Sequence, residues 1–449
     1  MILTLGKIVL ILAELGLLLG VLRLLGRHGR WHPELLRKVL HVAMGLTVLS
    51  FPWLFDQDWP VLLLSGLATV GLIVLRMAPA LKSSVGSVIN GVARKSLGEI
   101  YYPIAVGALW LLADGDTTLF AVPVLVLALG DATAALIGVR YGSMHYQTQD
   151  GHKSIEGSLA FFVVTFLSVH IPVLLVGQTG RTESLLLAVI VGLLVMLLES
   201  VAWRGLDNLL VPLGTFAFLK LYLAAPADDL VWRTAAIFTL VVFVAVWRRR
   251  STMDDSALVI GALFGYASMM LGGWLWLVPP LMLFVTVSLV WPRRQGPRVH
   301  SVAAVISITA VGMGCLLLQT RFPWDGWLWV FTASFASHLG MVGVSYLLYE
   351  PVGGAGLRIG RLLLAVGLGW LAVAGPIGVA CAIMTSPHEA MVPLGLIVMP
   401  VVAAAAGFYM LMPWLYGRTR GSPSQVHTTA VTLVACASAA TALLLAWAT

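Results

Sequence analysis

Apolar runs of about twenty residues recur along the whole chain, and they leave it few folds to choose from. Stretches such as IVLILAELGLLLGVL (8–22) and SLLLAVIVGLLVMLL (184–198) carry almost nothing that water would solvate. A bilayer crossing needs about 20 mostly apolar residues, which a helix supplies at 1.5 Å per residue. Hydrophobic residues make up 59% of the 449 and charged residues only 10%, against about 25% charged in soluble domains. The expected fold class is therefore all-α, a polytopic bundle of about 14 to 16 transmembrane helices. The first run has no basic leader and no small-residue cleavage site, so it reads as a retained span rather than a signal peptide.

The net charge of +7 says less than its placement. Most of the 27 Lys and Arg residues fall in every second break between apolar runs, beginning with 23–38. That alternation is the positive-inside pattern. It predicts that the basic breaks, including 140–153, lie in the cytoplasm and that both termini lie outside. It also accounts for the positive charge without a nucleic-acid partner, and none is expected. Cys315, Cys381 and Cys436 are isolated in apolar runs and suggest neither disulfides nor a metal site.

The two halves of the chain differ. Up to about residue 225, acidic residues recur within or beside spans: Glu14, Glu99, Asp131, Glu156, Glu199 and Asp207. After RRRSTMDDS (248–256) the spans are nearly free of ionisable groups. Charge inside a membrane is costly and marks function by default. We therefore expect a catalytic module over 1–250 and an additional helical module of unassigned role over 251–449, with oligomerisation one reading of the latter.

One stretch concentrates the chemistry. GDATAALIGVRYGSMHYQTQDGHKSIEGSLAFF (130–162) places Asp131, Arg140, Lys153 and Glu156 among five glycines. A helix starting near Ser154 would put Glu156 in its first turn and Lys153 at its entrance. Helix N-termini attract phosphate through free N–H groups and the helix dipole. Lysine, glycines and a helix start together make a phosphate cradle, although no Walker-type P-loop occurs in the chain. RKVLHVAMG adds Arg37, Lys38 and His41, with His41 three residues after Lys38 on one helical face. RKSLGEIYYP adds Arg94, Lys95 and Glu99, and ESVAWRGLDNLLVPL adds Glu199, Arg204, Asp207 and Asn208. Carboxylates for a divalent cation beside cations for phosphates are the equipment of phosphoryl transfer. At a membrane surface the expected acceptor is a lipid.

These segments resemble, in the same order, those of the CTP-dependent lipid-alcohol kinases, the dolichol kinase and phytol kinase family. The resemblance covers about residues 30–225. It implies transfer of the γ-phosphate of CTP to the hydroxyl of an isoprenoid alcohol at the cytoplasmic face, with Mg²⁺ or another divalent cation. Asp131, Gly142, His152, Lys153, Ser154 and Gly157 match or lie within the nucleotide-binding stretch. Glu99, Glu199, Asp207 and Asn208 match polar positions of the other segments. Our own assignment gives Asp131, Glu199 and Asp207 to metal, Lys153 to phosphates, and Glu99 or Glu156 to proton acceptance. Arg37, Lys38, His41, Arg94 and Lys95 are further polar candidates. Alternatives are a CTP-dependent cytidylyltransferase, a diacylglycerol kinase and, from another class, a secondary transporter.

Overall fold

The computed structural model describes residues 2–27, 33–77, 97–148, 151–177, 179–248, 251, 253–289, 301–348, 355–384, 387–417 and 423–448. They are almost wholly helical. Thirteen helices among them are long and apolar enough to cross a bilayer, and Gly98–Ala113 and Trp274–Leu289 are shorter apolar helices. The chain is an all-α polytopic membrane bundle, as the apolar runs require. It divides into two compact units, Met1–Thr239 and Leu240–Thr449.

The first unit contains α1 (Ile2–Arg27), α2 (Pro33–Leu49), the short α3 (Phe51–Leu54), α4 (Asp58–Met77), α5 (Gly98–Ala113) and α6 (Thr117–Leu125). A π-turn, Val126–Gly130, joins α6 without interruption to α7 (Asp131–Tyr141). A two-stranded antiparallel hairpin, β1 (His145–Thr148) and β2 (Gly151–Ser154), then leads into α8 (Ile155–Val176), α9 (Arg181–Val201), α10 (Asp207–Tyr222) and α11 (Ala227–Trp247). Among the described residues the hairpin is the one departure from an all-helical reading of this unit. Its first strand, HYQT, alternates exposed and half-buried residues as strands do. Gly151, with φ of +128°, makes the turn back into β2 where a side chain would be strained. Ser154 ends the hairpin and caps α8, its hydroxyl accepting from Gly157 N at 3.0 Å.

Small residues set the helix spacing around the site. A Cβ on Gly157 would stand 2.9 Å from the Ala134 carbonyl oxygen and 3.3 Å from the Gly138 Cα. The glycines and alanines of DATAALIG therefore serve the packing of α7 on α8. Similarly, a Cβ on Gly45 of α2 would lie 2.3 Å from the Ala128 Cβ in the π-turn. Backbones meet here almost directly, the packing that small residues permit in membranes. Thr47 ties α2 to α1 by donating to Glu14 Oε1 at 3.0 Å, which gives that intramembrane carboxylate a partner.

The second unit contains α12 (Asp255–Gly272), α13 (Trp274–Leu289), α14 (Val302–Arg321), α15 (Gly326–Leu348), α16 (Ala355–Met384), α17 (Pro387–Leu396), α18 (Val398–Gly417) and α19 (Pro423–Ala448). α15 runs through its centre, where Phe331 packs against Phe264, Trp276 and Phe335. A Cβ on Gly369 of α16 would lie 2.7 Å from Gly340 N of α15, so these two helices also cross backbone to backbone.

Gly45→Leu has to displace α2 from the π-turn, and overpacking of this kind costs about 1–3 kcal/mol. We expect a lower thermal midpoint in detergent for Gly45→Leu. Gly16→Leu, at a position with nothing within 4 Å, should melt like the parent protein.

Candidate active site

The first unit gathers its charges from six elements. On α2, Glu34, Arg37, Lys38 and His41 follow at i, i+3, i+4 and i+7, so they share one face. Arg37 is held in place by Glu34, which accepts from its Nε at 3.1 Å and its Nη2 at 2.6 Å. Lys38 turns inward and donates to Asp131 Oδ2 at 2.6 Å, across 93 residues of sequence. Lys38 is 3% exposed and Asp131 9%, so this pair is inside the bundle. His41 donates from Nε2 to the Leu127 carbonyl at 3.2 Å and stands 3.6 Å from Asp131 Oδ2.

Asp131 and Leu127 are four residues apart and so share the face turned to α2, with the π-turn lying between α6 and Asp131. A π-turn inserts an extra residue into an α-helix, shifting its register and loosening its carbonyl ladder, and such turns are frequent at functional sites. Here it sits immediately before Asp131, and its Leu127 carbonyl accepts from a side chain of another helix. Asp131 lies about 15 Å by helical rise from the Tyr141 end of α7, so it is sunk into the bundle rather than held in a surface loop.

A second pair links β2 to α9. Lys153, the last residue before the α8 cap, donates to Glu199 Oε1 at 2.7 Å and to the Glu199 carbonyl, near the end of α9. Burial alone would push the Lys153 ammonium down, but the Glu199 and Asp207 carboxylates outweigh it and hold its pKa above the ordinary lysine value. Lys153 is therefore fully charged at neutral pH. Asp207, in the first turn of α10, lies within electrostatic range of Arg37, His41 and Lys153. Asn208 donates its N–H to Asp207 Oδ1 at 3.0 Å, while its own Oδ1 is buried without a hydrogen-bond partner among the described residues. Glu99, in the first turn of α5, is within electrostatic range of Arg37 and Arg76. The start of α5 is pinned beside α10 by Leu97 N donating to the Arg204 carbonyl at 2.9 Å.

The structure thus brings together Arg37, Lys38, His41, Glu99, Asp131, Lys153, Glu199, Asp207 and Asn208. Other residues singled out by the sequence are used locally. Glu156 lies in the first turn of α8 as expected, but its carboxylate accepts from Ser143 N at 2.9 Å, Met144 N at 3.1 Å and the Ser143 hydroxyl. It fastens the hairpin to the helix start. Ser154 spends its hydroxyl on the cap, Gly157 and Gly142 are packed against neighbouring backbone, and His152 is exposed on β2. Arg94 and Lys95 lie outside the described residues. Sequence reasoning missed Glu34, although its i, i+3 spacing to Arg37 was a signal. It missed the π-turn, which no local pattern announced. It also passed over Tyr102, whose ring meets His41 edge-on with centroids 5.4 Å apart.

A divalent cation fits this donor set in one way. Among the described residues no group of three His, Cys, Asp or Glu is arranged to hold a metal by itself. Asp207 and Asn208 are consecutive residues with hard-oxygen donors, the Asn208 oxygen unspent, and Asp131 and Glu199 are each held by a lysine. Mg²⁺ is normally held by one or two carboxylates plus substrate phosphates rather than by an all-protein cage. The site suits a cation that arrives with a phosphate ligand.

The chain is 33% identical over 205 residues to the phytol kinase of Synechocystis sp., an alignment covering 45% of this chain and 84% of that protein. The chain belongs to the phytol kinase family. No family model matches it, and no solved structure does. The family relationship lies in the N-terminal half, in the unit that carries the charged cluster.

Lys38→Met would leave Asp131 buried with its ion-pair partner removed, and breaking a buried pair costs about 3–5 kcal/mol. We expect the single variant to be strongly destabilised in detergent. The double variant Lys38→Met with Asp131→Asn should regain most of the thermal midpoint. A double variant no more stable than the single one would contradict this account of the pair.

Proposed function

We propose that the chain is a membrane-embedded kinase that transfers the γ-phosphate of CTP to the hydroxyl of an isoprenoid lipid alcohol at the cytoplasmic face. The observation that carries this reading is the pairing of Lys38 with Asp131 and of Lys153 with Glu199, with Asp207 in electrostatic range of Arg37, His41 and Lys153, in a chain of the phytol kinase family. Two cations and several carboxylates converge where a phosphate chain and a metal would need them, and the surrounding spans offer an apolar route for a long alcohol.

In this reading Lys153, at the entrance of α8, takes the nucleotide phosphates, together with Lys38 once it exchanges Asp131 for a phosphate oxygen. Asp207, Asn208 and Asp131 would hold the divalent cation, with Glu199 in support. When bound, the cation neutralises charge developing on the transferred phosphoryl group. Arg37, anchored by Glu34, adds a fixed positive charge at the rim. His41 braces the Asp131 side of the site through Leu127. Of the two acids considered for taking the alcohol proton, Glu156 is engaged by Ser143 and Met144, so we assign that role to Glu99. Phosphoryl transfer leaves little covalent work for the protein, and positioning with charge neutralisation provides most of the rate.

The test uses purified protein with Mg²⁺, CTP labelled at the α- or γ-phosphate, and a panel of phytol, geranylgeraniol, polyprenols and diacylglycerol. We expect γ-label, and no α-label, in an isoprenoid product. Lys153→Ala and Asp131→Asn should each lower the rate by at least about a hundredfold, the scale of losing a preorganised charge at a transition state. Transfer of α-label with release of pyrophosphate would instead mean cytidylyl transfer. γ-Label confined to diacylglycerol would reassign the acceptor.

A further inference from the structure

Beneath the charged cluster lies a polar atom that the fold itself does not use. Tyr102 of α5 is 3% exposed, and its hydroxyl has no hydrogen-bond partner among the described residues. Buried tyrosine hydroxyls normally find one, and an unmet buried donor is destabilising. The surroundings show what kind of partner is missing. The hydroxyl oxygen lies 3.7 Å from where a Gly45 Cβ would be, at the point where α2 rests on Ala128. Gly45 is one helical turn beyond His41, on the side of α2 away from Arg37 and Lys38. The hydroxyl therefore sits a turn deeper in the membrane bundle than the charged layer. Its ring touches His41, which is 3.6 Å from Asp131 Oδ2. Glu99 is three residues earlier on the same face of α5, about one turn toward the charges.

We infer that the Tyr102 hydroxyl binds the oxygen of the acceptor alcohol, an uncharged hydroxyl at the end of an apolar chain. A water molecule held between protein groups wants two to four polar partners. The Tyr102 hydroxyl faces Gly45 of α2, and its ring meets His41, whose Nε2 already donates to Leu127. One polar atom in apolar surroundings matches a ligand with one polar atom and an apolar body. Donation from Tyr102 leaves the alcohol its own proton, directed toward the layer that holds Glu99 and Asp131. The outward faces of α2 and α5 nearby, at Val39, Leu46 and Ile104, are exposed and apolar, so a lipid chain has surface to lie on. This assignment rests on the lipid-alcohol kinase reading and names where its second substrate is held.

Tyr102→Phe tests it, because the change removes one oxygen and little else. Thermal unfolding of the full chain in detergent is followed with phytol or geranylgeraniol, and with phytane, the hydrocarbon without the hydroxyl. In the parent protein an alcohol should raise the midpoint and phytane should not. Ligand-free Tyr102→Phe should melt at or above the parent temperature, since it sheds an unpaired hydroxyl, and should lose the alcohol-dependent shift. In the transfer assay its KM for the alcohol should rise about five- to tenfold, the size of one lost hydrogen bond, with the KM for CTP unchanged. A lower ligand-free midpoint would show that the hydroxyl has a structural partner and overturn the inference. So would an alcohol shift equal in both proteins, or no shift in the parent. Phosphate transfer with an unaltered alcohol KM would sink the Tyr102 assignment and leave the kinase reading standing. A Tyr102-dependent alcohol shift without any phosphate transfer would do the reverse.

Discussion

The ion pair between Lys38 and Asp131 is the contact on which the first unit depends. Neither charge is tolerable alone inside a membrane bundle, where desolvation exceeds what an isolated ion can recover. Each is present because the other is 2.6 Å away. That requirement fixes how deep α2 sits against the π-turn and which face of α7 points inward. It also explains the absence of a side chain at Gly45, since a Cβ there would hold the two helices apart. Lys153 and Glu199 form a second such pair, and Asp207 lies within electrostatic range of Lys153 as well as of Arg37 and His41.

In the function proposed above, both lysines change partners. An ammonium held by a carboxylate in a low-dielectric setting gains little by release into lipid, but it can move to a phosphate oxygen without losing a charge-assisted hydrogen bond. An ion pair of this kind keeps a site ordered while its anionic ligand is away. The hairpin and the Glu156 contacts serve the same end from the other side. They fix the start of α8, so that Lys153 leaves the backbone at a defined point.

The two units divide the polar and apolar work. The first carries the charged cluster and the similarity to a phytol kinase. The second is organised around α15 and an aromatic core of Phe264, Trp276, Phe331 and Phe335.

Much of this was legible in the sequence, for reasons that differ by residue. Run length and hydropathy determined the helical membrane class, because lipid leaves a spanning segment no other way to satisfy its backbone. The start of α8 was readable from Ser154 and Glu156, because capping is local chemistry. The chemistry-bearing residues were readable from their rarity, since charge seldom survives beside lipid without a task. What the sequence could not give was their partners. Lys38 finds Asp131 across 93 residues and Lys153 finds Glu199 across 46, and no periodicity encodes such distances. Glu156 was one of two candidate proton acceptors, and only the fold shows its carboxylate accepting from Ser143 and Met144. Nothing in the sequence singles out Tyr102, and only its missing partner distinguishes it. The sequence determined which groups are present and which helices carry them, through local propensity and the aversion of lipid for charge. The tertiary structure alone decided which charges meet, because long-range pairing is set by helix packing, and that packing was settled by glycines whose neighbours lie far away in the chain.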